Sequence, residues 1–248
     1  MTDETKGHLH PVTTLIRDIS AIFASLGFEV ADGPEIEDEM HNFDALNVPK
    51  DHPARDMQDT FWIKGGEEKV LRTHTSPVQI RYMEEKMKEG KEPPFKIIVP
   101  GKVFRYEATD ATHEVQFHQT EGLVVGENVT MAHLKGVLDM LLKNIFGEEI
   151  KIKLRPGYFP FVEPGVEIDM ICFRCKGDGC TSCKQSGWIE ILGAGMVHPN
   201  VLNGVGIDSR KWQGYAFGVG VDRIAMLKYG IDDIRTLYSG DIRLVNQF

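Results

Sequence analysis

Arg105 and Glu107 stand where a strand-like run, Phe95 to Arg105, gives way to a polar loop, Glu107 to Gln116, before a second strand-like run, Phe117 to Val125, returns. A planar, permanently charged guanidinium at such a place can grip a phosphate and stabilise the negative charge that builds when a carboxylate attacks phosphorus. His113 in the loop offers a further phosphate contact, Glu107 an acceptor for an adenine amino group, and Phe117 a ring on which a base can stack. A second arginine, Arg223, opens a helical pattern directly after the glycine-rich run Gly214 to Gly220, where close backbone approach and another phosphate contact are possible. Taken singly, the glycines read equally as a tight packing turn and Arg105 as a surface ion-pair partner. Together they describe a site for ATP.

The cysteines carry a different chemistry. Cys172 with Cys175 and Cys180 with Cys183 form two CxxC knuckles, and the stretch Cys172 to Gly179 partly repeats as Cys180 to Gly187. Four thiolates can close a tetrahedral structural zinc site, and the glycines let backbone amides turn towards the sulfurs. An iron–sulfur cluster and a redox dithiol are the alternatives. All 4 cysteines fall in this one short stretch, a distribution unsuited to stapling distant parts of a secreted fold. Because the stretch lies between two strand-like runs, it is expected to tie off a hairpin. A peptide-binding zinc module explains only residues 172–187 and needs more repeats.

The elements that must position these groups follow from the apolar spacing. Val12, Leu15, Ile16, Ile19, Ile22, Phe23 and Leu26 recur at helical intervals, with Pro11 suited to a first turn and Gly27 to a C-terminal cap. A short extended segment, Phe28 to Val30, and a turn at Asp32-Gly33-Pro34 follow. The region Met40 to Thr73 has no usable period and reads as irregular, including the stretch Pro49 to Pro53. Thr75 to Glu89 reads as a second helix, ended by the breaker Gly90 to Pro94. Thr130 can cap a helix whose apolar positions run from Met131 to Ile145 and which Gly147 closes. Strand-like runs return at IKIKL, VEIDMI, WIEIL and Gly214 to Gly220, the last leading into a helix from Val221 to Tyr229. Helices that alternate with hairpin-like strand pairs, without a βαβ rhythm, predict an α+β fold with an antiparallel β-sheet flanked by helices. One compact domain over residues 1–248 is expected, with the cysteine knuckles inserted at 172–187.

A chain of 248 residues with 42% hydrophobic content is long enough to build a sizeable core. No stretch approaches a membrane span, and the polar start MTDETKGHLH lacks the basic and apolar regions of a leader, so the expected location is cytoplasmic. The 37 acidic residues outnumber the 28 basic ones, for a formal charge of -9, which argues against a surface that grips a nucleic-acid backbone unaided.

The segments around Arg105 and Arg223 resemble the second and third signature motifs of class II aminoacyl-tRNA synthetases, and the opening helix, short strand and Pro34 resemble the first. The runs HPARDMQDTFWI, RTHTSPVQIRYM, DATHEVQFHQTEGLVV, RPGYFPFVEPG, GAGMVHPNVL and YAFGVGVDRIAML are similar to the alpha-subunit family of bacterial phenylalanyl-tRNA synthetases over about residues 10 to 248. The resemblance implies that His74, Ser76, Gln119 and Glu121 surround the amino and carboxylate groups of phenylalanine, that Phe159 and Phe161 embrace its ring, and that Val162 and Ala216 line the pocket. Edge-to-face rings with a few buried polar groups suit that ligand, although Tyr158 to Phe161 taken alone also reads as a core strand.

It further implies activation of phenylalanine with ATP and Mg2+, then transfer to the 2′-hydroxyl of the terminal adenosine of tRNA(Phe). Glu163 would help to hold magnesium together with a beta subunit; a surface glutamate is the plainer alternative. An assembly of two alpha and two beta chains is expected, with editing of mischarged tyrosine on the beta chain. Family members carry an N-terminal helical extension, so this chain is expected to be trimmed or minimal. A non-catalytic paralogue and another adenylate-forming ligase on the same fold are the competing functions, and the FPFV, THTS and FHQTEG runs favour phenylalanine.

Overall fold

The computed structural model describes residues 7–50, 60–65 and 68–248. Most of HPARDMQDTFWI, and residues 51–53 of the Pro49 to Pro53 stretch, lie outside the described residues. The first helix, α1 (Pro11–Ser25), begins where expected, with His10 Nδ1 accepting the Val12 N–H at 3.3 Å. It stops before Gly27, whose φ of +78 is the left-handed value that a side chain would resist. The capped helix α4 (Met131–Phe146) also matches its pattern, with Thr130 accepting from the His133 N–H and Gly147 at its end. Between them lies α3 (Ser76–Lys88), which carries Lys86 and Lys88 in its last turn.

A seven-stranded sheet organises the rest, in the order β1-β4-β5-β9-β8-β7-β6. Its strands are β1 (Glu29–Val30), β4 (Phe95–Phe104), β5 (Gln116–Gly126), β6 (Ile152–Phe159), β7 (Val162–Ile171), β8 (Trp188–Val197) and β9 (Gln213–Gly220). Every neighbouring pair is antiparallel except β1 with β4, which run parallel at one edge. The fold is thus α+β as expected, but its sheet is not wholly antiparallel. The expected irregular region also needs correcting. It contributes β3 (Lys69–Leu71), which pairs with β2 (Ile36–Asp38) just upstream of it in a small second sheet, most of the one-turn helix α2 (Glu39–Asn42) and a 3-10 turn at Asp44–Leu46. Strands of three residues are too short to display a period of two.

Alternation along the strands divides the apolar residues between two layers. Ile98 of β4 and Val124 of β5 face α1 and α4, while Ile97, Val99, Leu123 and Val125 face α3. On the first side, Phe23 is completely buried and its ring lies 5.0 Å from that of Phe28 and 5.4 Å from that of Phe217. The second side is less completely filled, and the cavity described next opens there. The remaining helices are short: α5 (Pro199–Gly204), α6 (Val221–Tyr229), α7 (Arg235–Tyr238) and α8 (Ile242–Val245).

Phe23 joins α1 to β9 through Phe217 and to the segment leading into β1 through Phe28, so Phe23→Ala is expected to destabilise the fold by about 3–5 kcal/mol. A urea titration would show this as a lower midpoint; a midpoint within error of the parent's would mean that α1 does not contribute to the core as described.

Candidate active site

A cavity of about 220 Å3 opens on the α3 side of the sheet. His74 and Ser76 reach it from the start of α3, Gln119 and Glu121 from β5, and Arg105 from the end of β4. Phe159, Phe161 and Val162 come from the β6–β7 turn, and Ala216 from β9. All nine lie on its wall: Arg105 and the eight residues that the family resemblance implied for a phenylalanine pocket. The Phe159 and Phe161 rings are 6.0 Å apart between centroids and inclined by 23°. Their turn is pinned from two sides: Asn47 Nδ2 donates to the Pro160 carbonyl at 2.7 Å, and the His198 N–H donates to the Phe161 carbonyl at 2.9 Å.

Glu121 is the electrostatic centre. Its carboxylate accepts from the Thr75 N–H at 3.0 Å, Ser76 Oγ at 2.5 Å and Gln79 Nε2 at 2.8 Å, so it closes the N-terminus of α3, where partial positive charge collects. Burial still pushes its carboxyl above the usual range, against those donors and the nearby Arg105. Burial, followed by the charge of Arg105, drives the His74 imidazole down to about 3, so it is neutral at pH 7. His74 Nδ1 and Gln119 Oε1 are buried without a hydrogen-bond partner among the described residues. Both belong to residues of the cavity wall. Buried polar atoms are rarely left so, and here they suit a polar ligand.

The other expected phosphate and base contacts stand outside this cavity. Phe117 lies beneath the Arg105 guanidinium, 5.0 Å from it. Burial lowers the Arg105 pKa, and Glu107 is the first charge that opposes the shift. His113 is exposed and turned onto Asp110 at 3.0 Å, and Arg223 is exposed, donating to the Glu190 carbonyl at 3.2 Å. Glu163 is exposed and pairs with His198 Nε2 at 3.3 Å.

The cysteines converge in the segment between β7 and β8. Their Sγ atoms lie within 4.8 Å of one another, with separations of 3.7 Å for Cys172–Cys180, 3.8 Å for Cys175–Cys183 and 3.7 Å for Cys180–Cys183. These are far too long for disulfides. A metal with bonds of about 2.3 Å to four tetrahedral sulfurs holds them about 3.8 Å apart, so the donor set fits zinc. Backbone N–H groups of Gly179, Cys180 and Gly187 donate to the sulfurs at 3.2, 3.1 and 3.3 Å. Burial opposes thiolate formation at Cys183, yet the Cys180 and Gly187 N–H groups bring its thiol down to about 6, while burial raises that of Cys172 to about 11.

Residues 1–248 match the family model for the class II core domain of tRNA synthetases, type F. The phenylalanine–tRNA ligase alpha subunit of Staphylococcus carnosus is 60% identical over 242 residues, which are 98% of this chain and 67% of that protein. The chain belongs to this family. The corresponding subunit of Streptococcus agalactiae is 58% identical over 244 residues, 98% of this chain and 69% of that one. The chain therefore spans about two thirds of the length of these relatives. Among solved structures, the pyrrolysyl-tRNA synthetase of Desulfitobacterium hafniense superimposes with a TM-score of 0.70 at 17% identity, over 95% of this chain and 75% of that one, a likeness of fold.

The synthetase cavity also contains residues that the sequence reading missed. Gln79 lies one helical turn after Ser76 on the same face, which is the signal that could have found it. Gly193 and Gly218 belong to the wall because a Cβ would come within 2.8 Å of Phe159 Cζ and 3.1 Å of Glu121 Cγ, respectively. Buried Arg72 is a structural tie, donating through Nε to the Lys102 carbonyl at 2.7 Å and through Nη1 to the Gly33 carbonyl at 3.1 Å.

The depressed His74 pKa has a consequence for folding. The unfolded side chain titrates near 6.5 and the folded one near 3, so between those values the unfolded chain binds more protons and stability falls as pH is lowered. His74→Gln is expected to lose less stability than the parent over this window. Parallel acid limbs in denaturant titrations at a series of pH values would rule this out.

Proposed function

We propose that this chain is the activating subunit of a phenylalanine–tRNA ligase: it joins L-phenylalanine to ATP as phenylalanyl-adenylate, which is then transferred to the 2′-hydroxyl of the terminal adenosine of tRNA(Phe). The observation that carries the reading is that the paired Phe159 and Phe161 rings, the polar group His74, Ser76, Gln119 and Glu121, and the Arg105 guanidinium share one cavity. In this reading Glu121 faces the ammonium group, neutral His74 and Gln119 supply hydrogen bonds, and Val162 and Ala216 bound the ring.

Phenylalanine's carboxylate displaces pyrophosphate from the α-phosphate, and no side-chain nucleophile is required. Arg105 stabilises the charge that builds on the phosphorus centre, Phe117 stacks on adenine, Glu107 accepts from its amino group, and His113 and Arg223 contact the phosphates. Magnesium bound with the nucleotide would neutralise phosphate charge. Glu163 would help to hold magnesium through its carboxylate, together with the beta subunit.

Residues 1–248 act as one catalytic domain, into which the knuckles at 172–187 are inserted as a structural Zn2+ site on Cys172, Cys175, Cys180 and Cys183. A beta subunit completes an assembly of two alpha and two beta chains and supplies surface for tRNA, which the charge of -9 supports. The location is the cytoplasm; among the described residues no helix is long and apolar enough to cross a membrane.

Phenylalanine-dependent ATP–pyrophosphate exchange, with and without the beta subunit, tests the activity, and no exchange in either state refutes it. Ala216→Gly should raise kcat/KM for para-substituted phenylalanines by about tenfold or more, the worth of a methyl-sized change in an apolar pocket. Unchanged selectivity would remove Ala216 from the pocket assignment. Elemental analysis of protein purified under reductant should find about one zinc per chain. Chelation should lower the thermal midpoint, and metal-free protein with an unaltered midpoint would contradict a structural zinc.

A further inference from the structure

Asp222 immediately precedes Arg223, is 1% exposed, and has no part in the chemistry above. Its Oδ2 accepts the His118 N–H at 2.5 Å, and its Oδ1 accepts the Tyr238 hydroxyl. His118 Nδ1 lies 3.2 Å from that hydroxyl and 3.6 Å from Asp222 Oδ2, and the His118 and Tyr238 rings are nearly parallel, with 4° between their planes. Burial and the neighbouring Asp222 raise the Tyr238 pKa, so the phenol remains protonated and donates.

The place of this cluster in the fold gives it meaning. The β5–β9 ladder ends at the pair Gln119 and Gly220, after which β9 gives way to α6. His118 is the next residue outward on β5, and the Asp222 carboxylate takes its N–H where the ladder has stopped. A buried carboxylate thus adds one more link between the two elements. The residue beyond His118 is Phe117, and the residue after Asp222 is Arg223. The segment leading into Tyr238 is itself fixed twice: the Ile234 N–H donates to the Ala111 carbonyl at 2.9 Å, and His10 Nε2 bonds the Leu237 carbonyl at 2.9 Å. The same short segment therefore holds the loop that carries His113.

We infer that Tyr238, Asp222 and His118 form a positioning unit that sets the separation of Phe117 from Arg223, and with it the fit of the nucleotide between base stack and phosphate contact. The inference rests on the ATP site proposed above. None of the three lines the amino-acid cavity, so disturbing them should act on ATP and leave phenylalanine alone.

The test uses the alpha–beta complex with the single-atom change Tyr238→Phe, and with Asp222→Asn as a second variant that retains an acceptor for the His118 N–H. Loss of one hydrogen bond to a buried charge is expected to weaken ATP about tenfold, both as Kd by calorimetry and as KM in pyrophosphate exchange. KM for phenylalanine should stay within about twofold of the parent's, a split that general loss of stability does not produce. Unchanged ATP affinity in both variants overturns the inference, as does parallel weakening of ATP and phenylalanine. A parent complex that binds no ATP overturns the nucleotide site and this inference together, whereas normal binding by the parent confines any failure to the positioning unit.

Discussion

Glu121 brings a carboxylate into the middle of a sheet face where burial disfavours its charge, and the arrangement of the whole cavity follows from how that cost is offset. The offset comes from the start of α3, through the Thr75 N–H, the Ser76 hydroxyl and the Gln79 amide. These donors fix α3 against β5 at one register. The same contacts place His74 and Ser76 on the cavity wall, so the polar end of the site and the helix–sheet packing are one interaction.

The sheet supplies the second constraint. Alternation along β5 directs Gln119, Glu121 and Leu123 to the α3 side and Val124 to the α1 side. The cavity is therefore open on the face that α3 only partly covers, while α1 and α4 close the other with Phe23, Leu134, Leu138 and Leu141. Arg105 leaves the same hairpin at its far end, donating to the Thr73 carbonyl at 3.3 Å, which ties the phosphate end of the site back to the segment leading into α3.

Local pattern made α1, α4 and the β4–β5 hairpin legible in the sequence, because a run of a dozen residues or more displays its period and its caps. The cavity residues were legible for a different reason: motif resemblance carries positions that no periodicity links, and His74, Phe159 and Ala216 reach one wall from three distant elements. What stayed hidden depends on partners far along the chain. Tyr238 and His118 are 120 residues apart, and Arg72 meets carbonyls at Lys102 and Gly33, so nothing within a local window announces either. The small sheet of β2 and β3 escaped because its strands are only three residues long. The parallel β1–β4 edge escaped because two residues of strand do not reveal their direction.

The cavity floor is one backbone thick. Ala216 faces the pocket while its neighbour Phe217 packs beneath against Phe23, and Gly122, the partner of Phe217 in the ladder, has no room for a Cβ because that ring fills the space. Selectivity and core packing are thus written on adjacent residues of the same strand. A change that reshapes the pocket by shifting this strand would also move the ring on which α1 packs.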